Sequence, residues 1–154
     1  MSALTILAML GAAATPPPFD LANHAVVATF HAEGVQIYEC KFDEDVWDWV
    51  NREPIAALFE DGKTVGRHFA GPRWQLDDGS LIKGKVSESA PAPATTDVNW
   101  LKLGVVQNAG TGRLAQVTTV YRINTHGGEL PPVGCAPHGA LRSMPYTADY
   151  VFAR

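Results

Sequence analysis

The residues able to do chemistry fall into a few groups. His68 follows Arg67, and Arg73 and Trp74 come just after the Gly71-Pro72 pair. A histidine between two cations can be tuned for proton transfer; the plainer reading is an imidazole bonded to a backbone carbonyl. Asp77 and Asp78 are paired carboxylates, a pattern used in acid–base work. They precede Gly79-Ser80, however, and D-D-G-S is the order a tight turn needs, so they are read as a turn. Cys135 and His138 have C-x-x-H spacing. With Cys40 and His126 they would resemble a zinc set; Cys40 and Cys135 alone would make one disulfide. Tyr38, Tyr121, Tyr146 and Tyr150, with Arg122, could line a small-molecule pocket, although aromatics on strands also fill cores. His24 and His31 have an odd separation, which sends them to opposite faces of one strand and makes them a poor metal pair. There is no G-x-S-x-G elbow, no P-loop and no dinucleotide glycine fingerprint.

The elements that must hold these residues are short β-branched runs between turn signals. Ala25 to Phe30 and Val35 to Cys40, separated by Ala32-Glu33-Gly34, read as a hairpin. Val46 to Val50 places Trp47 and Trp49 on one face. Glu53 to Phe59, with Pro54 at a first helical position, predicts one or two helical turns. Val65 to Val86 reads as three strands joined by Gly71-Pro72 and by D-D-G-S, and Gly66 and Gly84 mark bulges or close backbone approach. Ser87 to Thr96 is a Pro/Ala/Ser/Thr-rich surface loop. Trp100 to Val106, Leu114 to Ile123 and Thr147 to Phe152 are further strands, and Asn124 to Pro145 is a long irregular segment that needs a structural reason. A Cys40–Cys135 bridge would supply one by pinning that segment to the sheet.

Composition narrows the class. The chain has 154 residues, 12 Lys+Arg against 16 Asp+Glu, 14 Gly and 11 Pro. That length fits one domain, and the Gly/Pro punctuation between β-branched runs fits an all-β fold. No Lys/Arg cluster exists to recruit nucleic acid. Ala3 to Leu10 is apolar and Gly11 to Ala14 is small, so residues 1–14 read as a secretory signal with an A-x-A site, although no cation precedes the apolar core. The run is far shorter than the ~20 apolar residues of a transmembrane helix. The mature domain is expected over residues 15–154, periplasmic or secreted.

Four segments carry a resemblance: GVQIYEC at Gly34–Cys40, VGRHFAGPRWQLDDGSLIKG at Val65–Gly84, VTTVYRINTHGGELPPVGC at Val117–Cys135 and MPYTADYVF at Met144–Phe152. In this order, across nearly the whole mature chain, they resemble the DUF3455 family, a domain of unknown function found in bacteria and fungi. The chain departs from the family pattern at Trp100-Leu101-Lys102-Leu103, where a more uniformly hydrophobic strand is usual. The resemblance implies export and places both cysteines at the family's positions, which favours the disulfide over the metal set. It implies no activity.

The expected architecture is a single all-β domain, a sandwich or barrel of about eight to ten short antiparallel strands with one short helix. The expected function is a non-enzymatic binding module for a small molecule or a cell-surface component. Ligand contacts are expected from His68, Arg73, Trp74, Tyr38, Tyr121 and Arg122, with no cofactor or metal assigned. The alternative is a small hydrolase or metal-assisted enzyme using His68. The cysteine pair gives the first testable outcome. Mass spectrometry without reductant should find the protein two hydrogens lighter than its reduced form, whereas two freely alkylated thiols would refute the bridge.

Overall fold

The computed structural model describes residues 17–154; the expected signal segment, residues 1–14, lies outside them. Eight antiparallel strands run up and down in sequence order: β1 (Val26–Asp43), β2 (Val46–Glu60), β3 (Lys63–Phe69), β4 (Arg73–Leu76), β5 (Leu81–Ala90), β6 (Trp100–Ala109), β7 (Thr119–Gly127) and β8 (Leu141–Ala153). Each pairs with its sequence neighbour, and β1 also pairs with β8, so the sheet closes into a barrel. The helical content of the described residues is one 3-10 turn, Leu21–Asn23. No helix among them is long and apolar enough to cross a membrane.

Closure depends on β1, which is continuous where a hairpin was expected. Gly34 is not a turn residue. It faces Ala56 on one side and Tyr146 on the other. A Cβ there would overlap the Ile55 carbonyl oxygen and stand 2.5 Å from Ala56 Cα. Glycine is required because the β2 backbone crowds this point, one of the uses of glycine within a strand.

The helical turns expected over Glu53 to Phe59 are also strand. Ala56 and Leu58 point inward at period two and are buried, and pairing with β1 overrides the local Pro54 signal. Pro54 is tolerated because β3 first meets β2 at Ala56, which leaves the preceding part of β2 as an edge. The expected strand over Leu114 to Ile123 begins only at Thr119. Leu114 and Val117 lie in a turn that drives both into the barrel end, where they are almost fully buried. The irregular segment shrinks to residues 128–140, since β7 and β8 extend into both of its ends. The expected bulges do occur. The register shifts opposite Val65, beside Gly66, and at Gly84.

The barrel has unlike ends. One is filled by Ala28, Phe30, Leu58, Leu76, Ile82, Leu114, Val117, Val120 and Phe152. Arg113 caps it, with its guanidinium 5.0 Å above the Phe30 ring and paired to Glu60 at 2.7 and 2.8 Å. Asp78 ties the capping loop down. It accepts from Arg113 N at 2.8 Å, and from Ser80 N and Oγ at 2.9 and 2.6 Å. The Asp77-Asp78 pair is therefore a turn. A second apolar cluster lies on the outer face, where Trp100, Tyr121, Ile123, Val151 and Ala153 are covered by Phe19, Leu21 and Ala92.

At the other end, the Cys40–Cys135 disulfide fastens segment 128–140 to β1 with a Cα–Cα distance of 5.7 Å. Gly139 N donates to Cys40 O, Cys40 N donates to Ala140 O, and Trp49 Nε1 donates to Gly134 O. Gly34 offers a direct test of barrel closure. Gly34→Ala should lower unfolding stability by about 3 kcal/mol or more in urea denaturation. Gly104→Ala, where an added Cβ meets nothing within 4 Å, should stay within about 0.5 kcal/mol of wild type.

Candidate functional site

The short β3–β4 hairpin leaves a notch in the barrel wall. Pairing between β2 and β3 begins at Ala56, and pairing between β4 and β5 reaches Arg73–Lys83, so residues 46–55 of β2 and 85–90 of β5 project past the Gly71-Pro72 turn. A cavity of about 410 Å³ opens there. A bulge shapes its rim. Ile37 faces Glu53 while Tyr38 faces Asn51, so Arg52 is an extra residue. Asn51 and Pro54, which a regular strand would send to opposite faces, both line the cavity.

Three aromatic residues make the floor. The His68 ring stacks on Trp74 with centroids 4.5 Å apart and 10° between planes, and Tyr150 stands 4.8 Å from His68 and 5.5 Å from Trp74. Trp74 is fully buried and His68 is 3% exposed. Gly84 makes room for the indole, since a Cβ there would come within 3.1 Å of it. Leu101, Leu103 and Val86 form an apolar wall. Arg122 lies beside Tyr150 and Leu101 in the register, and its Nε and Nη2 donate to Asn99 O at 3.0 and 2.8 Å.

Two buried donors in this lining lack acceptors. Gln36 is 2% exposed. Its Oε1 accepts from Asn51 Nδ2 at 3.0 Å, while its Nε2 has no partner among the described residues. Trp74 Nε1 has none either. An unmade bond at a buried donor costs about 1–3 kcal/mol. Trp100 Nε1, beneath the outer-face cover, is similarly unpartnered, and nothing in the structure explains it.

The electrostatics of His68 are set by burial. Its Nδ1 donates to Arg73 O at 2.8 Å, which is the carbonyl-bonded arrangement. Desolvation pulls its pKa down to about 3, with the Arg73 carbonyl opposing and the Arg122 charge assisting. The flanking cations do not tune it directly, because alternation turns them outward. Arg67 lies over the Phe69 ring and donates to Gln75, and Arg73 Nη1 donates to Ala70 O. The cavity lining contains no carboxylate, hydroxyl or thiol besides the Tyr150 phenol, whose pKa burial raises.

Of the six expected ligand contacts, the cavity gathers His68, Trp74 and Arg122. Arg73 lies on the outer face of β4. Tyr121 is in the outer cluster, where its hydroxyl donates to Asp20 at 3.0 Å. Tyr38 points inward, but its hydroxyl is committed to Gly128 O at 2.8 Å. Gln36, Asn51 and Arg52 escaped the sequence reading. The one available signal was Gln36 sharing a face with Tyr38 and Cys40. The potential zinc set dissolves because its cysteines are bonded to each other and His138 Nδ1 accepts from Phe42 N. Among the described residues, no three His, Cys, Asp or Glu side chains cluster as metal ligands.

The lowered His68 pKa has a thermodynamic sign. Between pH 6.5, the ordinary value, and about 3, the unfolded chain holds a proton at His68 that the folded chain rejects. This contribution is present above the ordinary value and declines as pH falls through that window, by up to about 1.4 kcal/mol per pH unit. Urea midpoints measured from pH 6.5 down to about 5 lie above the main carboxylate titrations. They should drop for wild type, and the slope should flatten in His68→Phe. An unchanged slope would contradict the burial.

No curated protein and no solved structure matches the chain. The family model described as "Protein of unknown function (DUF3455)" matches residues 21–154, the whole barrel together with its leading 3-10 turn, and on that match the chain belongs to the DUF3455 family.

Proposed function

We propose that this chain is an exported binding module that takes a small molecule into the notch-side cavity of its barrel. The observation that carries this reading is the pair of buried, unpartnered donors, Gln36 Nε2 and Trp74 Nε1, in the lining of a cavity of about 410 Å³. An eight-stranded barrel is wide enough either to fill with side chains or to hold one small ligand. Here one end is filled and the other is not. An apolar wall with a few convergent polar groups is the usual composition of a ligand pocket. Export is supported by the Cys40–Cys135 disulfide, which persists in oxidising compartments, and by the apolar N-terminal sequence.

The enzymatic alternative built on His68 has less support. A general base works best with a pKa near the operating pH. His68 is held far below it, with Nδ1 already committed to a carbonyl. What favours His68 in this cavity is its flat face against Trp74, a surface on which an apolar or aromatic group can rest.

The test is a ligand-observed NMR fragment screen on the full chain, run in parallel on Val86→Trp. Val86 is 46% exposed at the cavity mouth, so the larger ring should block entry without disturbing the core. Fragments should bind wild type and be lost in the variant while its melting temperature is unchanged. A wild type silent to the whole screen, or hits that bind Val86→Trp equally well, would overturn the reading.

A further inference from the structure

Resting on the reading of the cavity as a ligand site, we propose that its ligand is an organic anion, a carboxylate or similar group on an apolar body, with the anionic head at Arg122 and the body against Leu101, Leu103 and Val86. The first ground is charge. Acidic residues outnumber basic ones in the chain, 16 to 12, yet the charged residues lining the cavity are Arg52 and Arg122. Arg52 is answered on the rim by Glu53 at 3.5 Å and Glu39 at 4.0 Å. Arg122 makes no ion pair among the described residues. Its bonds to Asn99 O orient the guanidinium and leave its charge uncancelled. Arg122 is partly buried, so its charge is available to an anion entering the cavity.

The second ground is the supply of donors beside the cavity. Among the described residues, Gln36 Nε2 and Trp74 Nε1 have no acceptor, and the Arg122 guanidinium, bonded to Asn99 O, has no counter-charge. The Arg122 charge also reaches into the barrel, where it acts on His68, Tyr146 and Tyr150. A carboxylate offers acceptor sites only, up to four lone pairs, and so complements such a set; an ammonium group would be repelled by it. The third ground is the adjoining wall, which is aliphatic and reaches the mouth at Val86, giving an apolar body a path outward from the head group.

Isothermal titration calorimetry of the full chain with octanoate, 1-octanol and octylammonium tests the proposal, because the three share a body and differ in head group. Octanoate should bind about tenfold or more tighter than 1-octanol, as a charge-assisted hydrogen bond implies, and octylammonium should bind most weakly. Arg122→Gln should remove that preference, so that octanoate and 1-octanol bind alike. Arg122→Lys, which keeps the charge, should retain part of it and guards against a folding defect in the first variant. Equal binding of octanoate and 1-octanol, tighter binding of octylammonium, or an unchanged preference in Arg122→Gln would overturn the anion assignment and leave the cavity reading standing. Silence of all three against a chain that still binds its fragment hits would do the same. Octanoate binding that survives Val86→Trp would instead count against the cavity as the site.

Discussion

The whole structure depends on β1 being paired along both edges. Its register with β2 covers residues 31–43 and with β8 residues 26–39, so half of the strand carries two ladders at once. A strand this long within a barrel must coil, and where β2 presses closest the side chain has to vanish. Gly34 sits at that point, and the same contact makes the strand continuous and the barrel closed. Closure removes the free sheet edges that an open eight-stranded meander would expose. It also fixes which residues face inward, because period-two alternation has no freedom once both ladders are set.

With the faces fixed, strand length decides what the interior becomes. The β3–β4 hairpin is shorter than the strands on either side, and the wall is incomplete above it. The closed end is finished by Leu114 and Val117 turning inward beneath the Arg113–Glu60 pair. Among the described residues, the open end has no such plug. Its floor is the His68–Trp74–Tyr150 group, and its rim is shaped by the single extra residue at Arg52. A filled core and a cavity therefore share one barrel, separated by one layer of aromatic rings.

Charge is handled differently at the two ends. Arg113 is neutralised by Glu60 and its loop is tied by Asp78, whose carboxyl is held below its ordinary value by the Ser80 and Arg113 hydrogen bonds. Arg122 is oriented by a neutral carbonyl and left without a counter-charge. The disulfide acts on the same end. By holding segment 128–140 against β1, it keeps Gly128 in place over Gln36 and Tyr146, within 3.2 Å and 2.9 Å of where a Cβ would stand. The shape of the cavity beside Gln36 thus depends on a covalent link between residues distant in sequence.

Much of this was legible in the sequence by itself. The Gly/Pro spacing and β-branched runs determined an all-β chain. D-D-G-S determined a turn, because an Asp that bonds its own backbone and a glycine with positive φ define one locally. The cysteine pair pointed to the staple. His68, Trp74 and Arg122 stood out by residue type. What only the tertiary structure decided was everything that depends on partners far along the chain. Gly34 looks like a turn glycine until the β2 backbone is seen to crowd it. Pro54 looks like a helix start until β1 pairs across it. Leu114 and Val117 look like strand residues until the barrel end needs filling. Arg73 and Tyr121 looked equal to Trp74 and Arg122, their immediate neighbours, and alternation turned them outward once the register was set. Gln36 came to the cavity by alternation along β1, and Asn51 through a bulge that no local signal marks. Local propensity selects the kind of element, and long-range pairing selects the face each side chain occupies, so the candidate site was decided by the second.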